Sequence, residues 1–298
     1  VLAALINVIF PVVLVASVGV VLARAFPIDI DSVNKVSLHG FTPALAYVTV
    51  VTTDVSPRDG ARLTIAYLLA MAVAAALAYG ASLLFARRAR RVVVGCTIIG
   101  NNGNFGLPIA LLALGQPGLD QALVIFMASL LLMFTIGPAL LGATGGVLAG
   151  LRRVALLPVM WALVIGLTVR GAGLQTPAAL MSGIQLLADG AIPLVLLCLG
   201  LQLGQSQRIN LTRPVLLSVA LRAVVVPLAA YGAGLAVGLH GLPLQSLVLA
   251  CVMPTAVNAY MLAREFSDDP STAASAVALS TFVSIPLIAG VVTLLPLL

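Results

Sequence analysis

Two short segments interrupt long apolar stretches with residues that could bind a ligand. They are Gly100-Asn101-Asn102-Gly103-Asn104-Phe105-Gly106-Leu107-Pro108 and Met253-Pro254-Thr255-Ala256-Val257-Asn258. Proline has no N–H and its ring clashes with the preceding turn, so a helix running through either segment loses hydrogen bonds. Lipid cannot replace those bonds, which places both segments inside protein or against a watery cavity. Pro108 suits the first turn of a resumed helix and Asn104 can cap its free amides. Pro254 with Thr255 can open a second half-helix in the same way. Each such start presents unpaired N–H donors and the positive end of a helix dipole. Asn101, Asn102 and Asn258 add amides that both donate and accept. The chemistry expected is capture of a carboxylate or similar small organic anion without a buried cationic side chain.

Three titratable residues lie where charge is costly. Asp189 and Arg222 fall well inside apolar runs, so each needs a partner or access to water, and they could pair with each other. Asp189 is a candidate proton carrier, because desolvation raises a carboxyl pKa. His39 is a second candidate, since its ordinary pKa suits proton exchange near neutrality. An enzyme would need clustered acids, paired histidines or a base-activated nucleophile. The only two histidines, His39 and His240, lie in unrelated places, so no catalytic residue, metal ligand set or cofactor is expected. Ser280, Thr281 and Ser284 are expected to bond to backbone.

The elements that must position these residues are membrane helices. The 298 residues are 61% hydrophobic and only 8% charged, with mean hydropathy +1.19, whereas soluble domains carry about 25% charged residues. A net charge of +6 could suit nucleic acid, but the arginines flank apolar runs instead of clustering on an aromatic-studded face. Cys96, Cys198 and Cys251 lie inside apolar runs and read as buried small hydrophobes. The first run has no basic leader, so it is expected to be a permanent helix and not a cleaved signal.

Ten runs reach membrane length, at 2–23, 33–53, 61–86, 92–114, 119–141, 152–170, 177–204, 214–238, 243–263 and 270–297. Arg24, Lys35, Arg87, Arg88, Arg90, Arg91, Arg152, Arg153, Arg208, Arg213 and Arg264 gather on one side, while the other side holds Arg58, Arg62 and Arg170. The positive side is cytoplasmic, so both termini are expected on the non-cytoplasmic side of a multi-pass protein of the cytoplasmic (inner) membrane.

The halves resemble each other. Pro11 and Gly19 in the first run match Pro158 and Gly166 in the sixth, with the same spacing. His39-Gly40-Phe41-Thr42-Pro43 matches Asp189-Gly190-Ala191-Ile192-Pro193, and Tyr79-Gly80 matches Tyr231-Gly232. With five helices per half, the second copy enters the membrane inverted. One membrane unit, 1–298, thus divides into repeats 1–145 and 146–298, with interrupted helices 4 and 9 at matching positions.

These residues give the chain a resemblance to the auxin efflux carrier family of membrane transporters, which includes plant auxin carriers and shorter bacterial carriers described as malonate or malate permeases. The most specific pieces are Asn101 through Gly106-Leu107-Pro108, and Met253-Pro254 through Ala263-Arg264-Glu265-Phe266. Asn34-Lys35 with Pro43, Asp189 followed by Cys198-Leu199-Gly200-Leu201, and Leu221-Arg222 followed by Pro227 add to it. The resemblance implies an all-α fold related to bile-acid sodium symporters, with ten transmembrane helices in two inverted five-helix repeats and helices 4 and 9 broken and crossing. It also implies an elevator motion past a scaffold of helices 1, 2, 6 and 7, and a homodimer. The family's crossover asparagine maps to Asn101 and its prolines to Pro108 and Pro254. Plant members carry an acidic and a basic residue in helix 3, where Ala66-Tyr67-Leu68 has neither, and only Gly142 to Arg153 joins the halves here. These departures favour small organic acids over auxin.

The expectation is therefore a secondary transporter of a mono- or dicarboxylate. Sodium needs several convergent oxygens, and Asp189 is the only acid read as deep, which favours proton coupling or uniport. A sodium-coupled symporter and a non-transporting sensor on the same fold are the alternatives.

Overall fold

The computed structural model describes residues 2–142, 146–204 and 209–298, and for 146 and 147 the backbone alone. Arg208, used above for orientation, lies outside these residues, as do 143–145 at the boundary between the halves. Among the described residues the structure is helical and holds no strand, only an isolated bridge. Six helices are long and apolar enough to cross a membrane, or seven if one bent pair counts as a single span.

In chain order these are α1 (Leu2–Ala25), α2 (residues 30–52), α3 (Pro57–Ala81), α4 (Arg87–Ile98) and α5 (Asn102–Leu141). After these come α6 (Gly146–Ala155), α7 (Pro158–Gly171), α8 (Ala178–Gly204) and α9 (Arg213–Val237). The chain ends with α10 (Leu242–Val252), α11 (Val257–Phe266) and α12 (Pro270–Leu294).

Four stretches wind as wider π turns, at Leu5–Ile9, Ser37–Phe41, Asn102–Gly106 and Leu221–Val225. Each ends two residues before a proline: Pro11, Pro43, Pro108 and Pro227. The cause is steric: the ring of proline collides with the carbonyl four residues back and cannot bond to it, and inserting a residue in the turn relieves both. Arg222 and His39 sit in two of these wide turns.

The boundaries read from hydropathy shift in three places. The fourth run begins earlier, at Arg87, so its arginines form the first turn of α4 and do not precede it. The fifth run continues from the end of the fourth without a loop, because Gly115 turns the chain inside α5 at φ 69°, ψ −165°, a region open essentially to glycine. The sixth run is divided: α6 and α7 meet at 68°, with the Trp161 indole Nε1 donating to Ala155 O at 2.7 Å across the corner. Hydropathy averages over such a corner and so could not reveal it.

Packing separates the molecule into two groups. α1 lies along α8 and α2 along α7. At the first contact Gly19 faces Gly200, and a methyl group on either would overlap the opposing backbone. At the second, Gly166 faces Tyr47 and Val50. Small residues let helices approach closely where lipid supplies no hydrophobic drive. The other group comprises α3, α4, α5, α9, α10, α11 and α12, and the largest apolar core joins most of it to α2 and α8. Large apolar side chains such as Leu14, Val18, Ile165 and Leu228 point outward, as a bilayer solvent requires.

Candidate functional site

Helix stops at Ile98 and resumes at Asn102 in one segment, and stops at Val252 and resumes at Val257 in the other. The two interruptions meet. Asn101 N donates to Pro254 O at 2.8 Å and Ala256 N donates to Ile99 O at 2.9 Å, forming an antiparallel bridge between Gly100 and Thr255. Each break thereby satisfies backbone groups that the other leaves free, which lipid could not do.

Side chains complete the pairing. Thr255 is fully buried and its hydroxyl donates to Cys96 O at 2.8 Å, while its N–H donates to Ser280 Oγ at 3.1 Å. The Ser280 hydroxyl in turn donates to Val277 O, as does Thr281, and Ser284 donates to Thr281 O, so all three bond to backbone. Arg222, 2% exposed, reaches in from the wide turn of α9. Its Nε donates to Met253 O at 2.7 Å and its Nη1 to Thr97 O at 3.0 Å, the carbonyls at the ends of α10 and α4. Its Nη2 has no hydrogen-bond partner and lies against Gly100, where a methyl group would overlap the guanidinium. A side chain at this position would have to push the guanidinium aside.

On the opposite side of the bridge lies a cavity of about 90 Å³ with a mixed lining, polar groups on one part and Leu38, Leu107, Phe126, Leu130 and Met133 on another, space for several waters at roughly 10–15 Å³ each. Asn101, Asn104 and Asn258 line it, with Gly100 at its wall. Asn34, Ser37 and Thr42 of α2, Gln202 of α8, and Tyr67 and Ser129 add polar groups. Buried Asn102 donates from Nδ2 to the Tyr67 hydroxyl at 3.1 Å, and its Oδ1 has no hydrogen-bond partner.

Of the residues singled out from sequence, Asn101, Asn104 and Asn258 come together at the cavity. Asn102 lies behind it, and Thr255 spends its hydroxyl on Cys96 O. Pro254 lies in the extended link before α11, and Pro108 lies in the turn after the wide start of α5. Asn104 caps nothing: helix resumes two residues before it, so the capping position has already passed. Asp189 and Arg222 are not partners. Asp189 is exposed and accepts from Gln185 Nε2 at 2.6 Å one turn earlier, while Arg222 faces the bridge from another helix. His39 is also exposed, with Nδ1 3.0 Å from Lys35 O. Asp120, not Asp189, is the buried acid of a long apolar helix; it is 8% exposed and accepts from Gln116 Nε2 at 3.0 Å. Its place just past the glycine corner gave no sign of depth in the sequence. Cys96, Cys198 and Cys251 are buried free thiols.

A helical membrane protein that holds a partly polar cavity against two paired helix breaks has the makings of a transporter, and the comparisons with known proteins agree. Residues 147–292 match the family described as membrane transport protein. An "Uncharacterized transporter" of Methanothermobacter thermautotrophicus is 27% identical over 266 residues, covering 86% of each chain. A "Putative malonate transporter" of Rhizobium meliloti is 27% identical over 208 residues, 66% of this chain and 64% of that one. A "Probable auxin efflux carrier component 1b" of Oryza sativa subsp. japonica is 28% identical over 135 residues, 45% of this chain and 24% of its own. The chain is a multi-pass membrane protein, and the proteins it is similar to are named as transporters. Auxin efflux carriers are among the proteins it is similar to.

Proposed function

We propose that the protein is a secondary transporter that carries a small organic anion, a mono- or dicarboxylate, across the cytoplasmic membrane by alternating access. The observation that carries this reading is the partly polar cavity at the paired breaks. Two helix starts, at Asn102 and Val257, border it with the amides of Asn101, Asn104 and Asn258. Helix starts and neutral amides favour a carboxylate and avoid a costly exposed cation inside the bilayer. The malonate named for the Rhizobium relative is a ligand of this class.

Ten spans in two inverted repeats, 1–145 and 146–298, are part of the proposal. The contact pattern supports it: α1 lies on α8 as α7 lies on α2, α3 on α4 as α9 on α10, and α5 on α10 as α12 on α4. Gly19 and Gly166, matched in sequence, each sit at one of the first two contacts. In this reading α1, α2, α7 and α8 form the scaffold of a homodimer, and the group around the crossing moves past it as an elevator. Asn34, Ser37, Thr42 and Gln202 would then be scaffold groups that touch the cargo in one state and release it in the other.

Asn34 adjoins Lys35, and Gln202 lies near the end of α8 that leads to Arg213. The cavity therefore opens toward the arginine-rich side. With that side cytoplasmic and both termini outside, this reading makes the conformation an inward-open one. Coupling is to protons or absent, because the cavity walls hold no carboxylate among the described residues and sodium favours several hard oxygens.

The test is a thermal-shift screen of acetate, malonate, succinate and malate on purified protein, followed by flux into proteoliposomes. Uptake of a stabilising acid that persists when choline replaces sodium is expected. Strict sodium dependence would favour a symporter, and binding without flux a sensor.

A further inference from the structure

We infer that Arg222 is the residue that gives the crossing its sign, acting from behind the cavity wall through the backbone and not by touching the cargo. The inference rests on the organic-anion reading and specifies what makes that site select for charge.

Four helix ends converge at the bridge. Two are C-terminal ends, of α4 and α10, whose free carbonyls carry the negative end of the helix dipole. Two are N-terminal starts, of α5 and α11, whose amides carry the positive end. Left alone, the two negative ends would offset much of what the two positive starts and the amides offer an anion. Arg222 breaks the balance. Its Nε and Nη1 bond to the carbonyls of Met253 and Thr97, so a permanent cation neutralises the two negative ends and leaves the positive ends uncompensated at the cavity. Neither bonded partner is an acid, so the guanidinium charge is not cancelled by an ion pair there.

The third nitrogen places that charge close to the cargo. Nη2 is buried without a partner against Gly100, and Gly100 is itself part of the cavity wall. Only a glycine backbone separates the charge from the cavity. In so buried a setting the field reaches across it with little screening. A charge held behind the wall cannot form a direct salt bridge, so it can attract an anion without trapping it. The wide turn before Pro227 sets the reach of Arg222 into this position.

The test compares malonate with malonamide, its uncharged counterpart, by calorimetric binding to the full chain in detergent. Wild type is expected to favour malonate by at least about tenfold. Arg222→Gln should lose that preference while its malonamide affinity stays the same, and Arg222→Lys, which keeps the charge, should recover much of it. Gly100→Ala keeps the arginine but displaces the guanidinium, so it should weaken malonate binding more than malonamide binding and lower the ratio between them. It decides the matter if Arg222→Gln fails to fold. An unchanged malonate preference in a folded Arg222→Gln, or in Gly100→Ala, would overturn the assignment, as would a wild type that binds both ligands alike. Wild type that binds none of acetate, malonate, succinate or malate would instead sink the anion reading itself.

Discussion

Where α1 meets α8, the chain keeps both helices intact and brings backbone against backbone through Gly19 and Gly200. At the crossing it gives up helix altogether and satisfies the freed groups with a two-bond bridge, a threonine, a serine and an arginine. The first contact is held by close approach, with no room at Gly19 or Gly200 even for a methyl group. The second keeps unspent amides beside a cavity, so its stability depends on every surrounding bond being made. The proposed binding capacity thus lies where the fold is held by directional bonds, next to a region held by shape.

That contrast can be broken from both sides. Replacing Asn101 and Asn258 together by alanine removes amides from the cavity without touching the bridge, whose bonds run through backbone. Uptake in proteoliposomes should fall by about a hundredfold or more, as expected for a site that loses its polar partners, while the unfolding midpoint stays near that of wild type. Gly200→Leu attacks the first contact. It should destabilise by about 3 kcal/mol or fail to assemble, seen as a lowered midpoint in detergent, because the opposing backbone cannot yield. Thr255→Val leaves Cys96 O buried without its donor. A loss of about 2 kcal/mol is expected from the orphaned carbonyl, with reduced transport as the bridge loosens. The smallest effect should come from Tyr47→Phe, which removes the 2.6 Å bond between Tyr47 and Thr176 near the other close helix contact, α2 on α7. About 0.5–1 kcal/mol is expected, without loss of transport. If Tyr47→Phe damaged transport as much as Thr255→Val does, the division between a binding region and a supporting one would fail.

The helical class, the membrane setting and the location of both breaks were legible because proline and apolar run length act locally, within a few residues of themselves. What the breaks do to each other was not. No local rule says that Asn101 N will find Pro254 O, or that Thr255 will turn its hydroxyl to Cys96 O and away from a ligand. Arg222 showed the same limit. Its type and depth marked it as needing a partner, but carbonyls are present at every residue and leave no trace in composition, so an acid was the only candidate sequence could offer. Tyr67, Asn34 and Gln202 were missed at the cavity because each is a single polar residue on a mostly apolar helix, and only packing shows which face it occupies.

The corner at Gly115 has a mechanical consequence. With no loop between the residues bordering the cavity and the long remainder of α5, the segment that starts at Asn102 and the rod that ends at Leu141 form a bent lever with a one-residue elbow. In the proposed cycle, displacement of the segment beside the cavity would pull on that rod through the elbow. A cross-link fixing the far arm to a neighbour should therefore arrest the cycle as effectively as one placed beside the bound molecule.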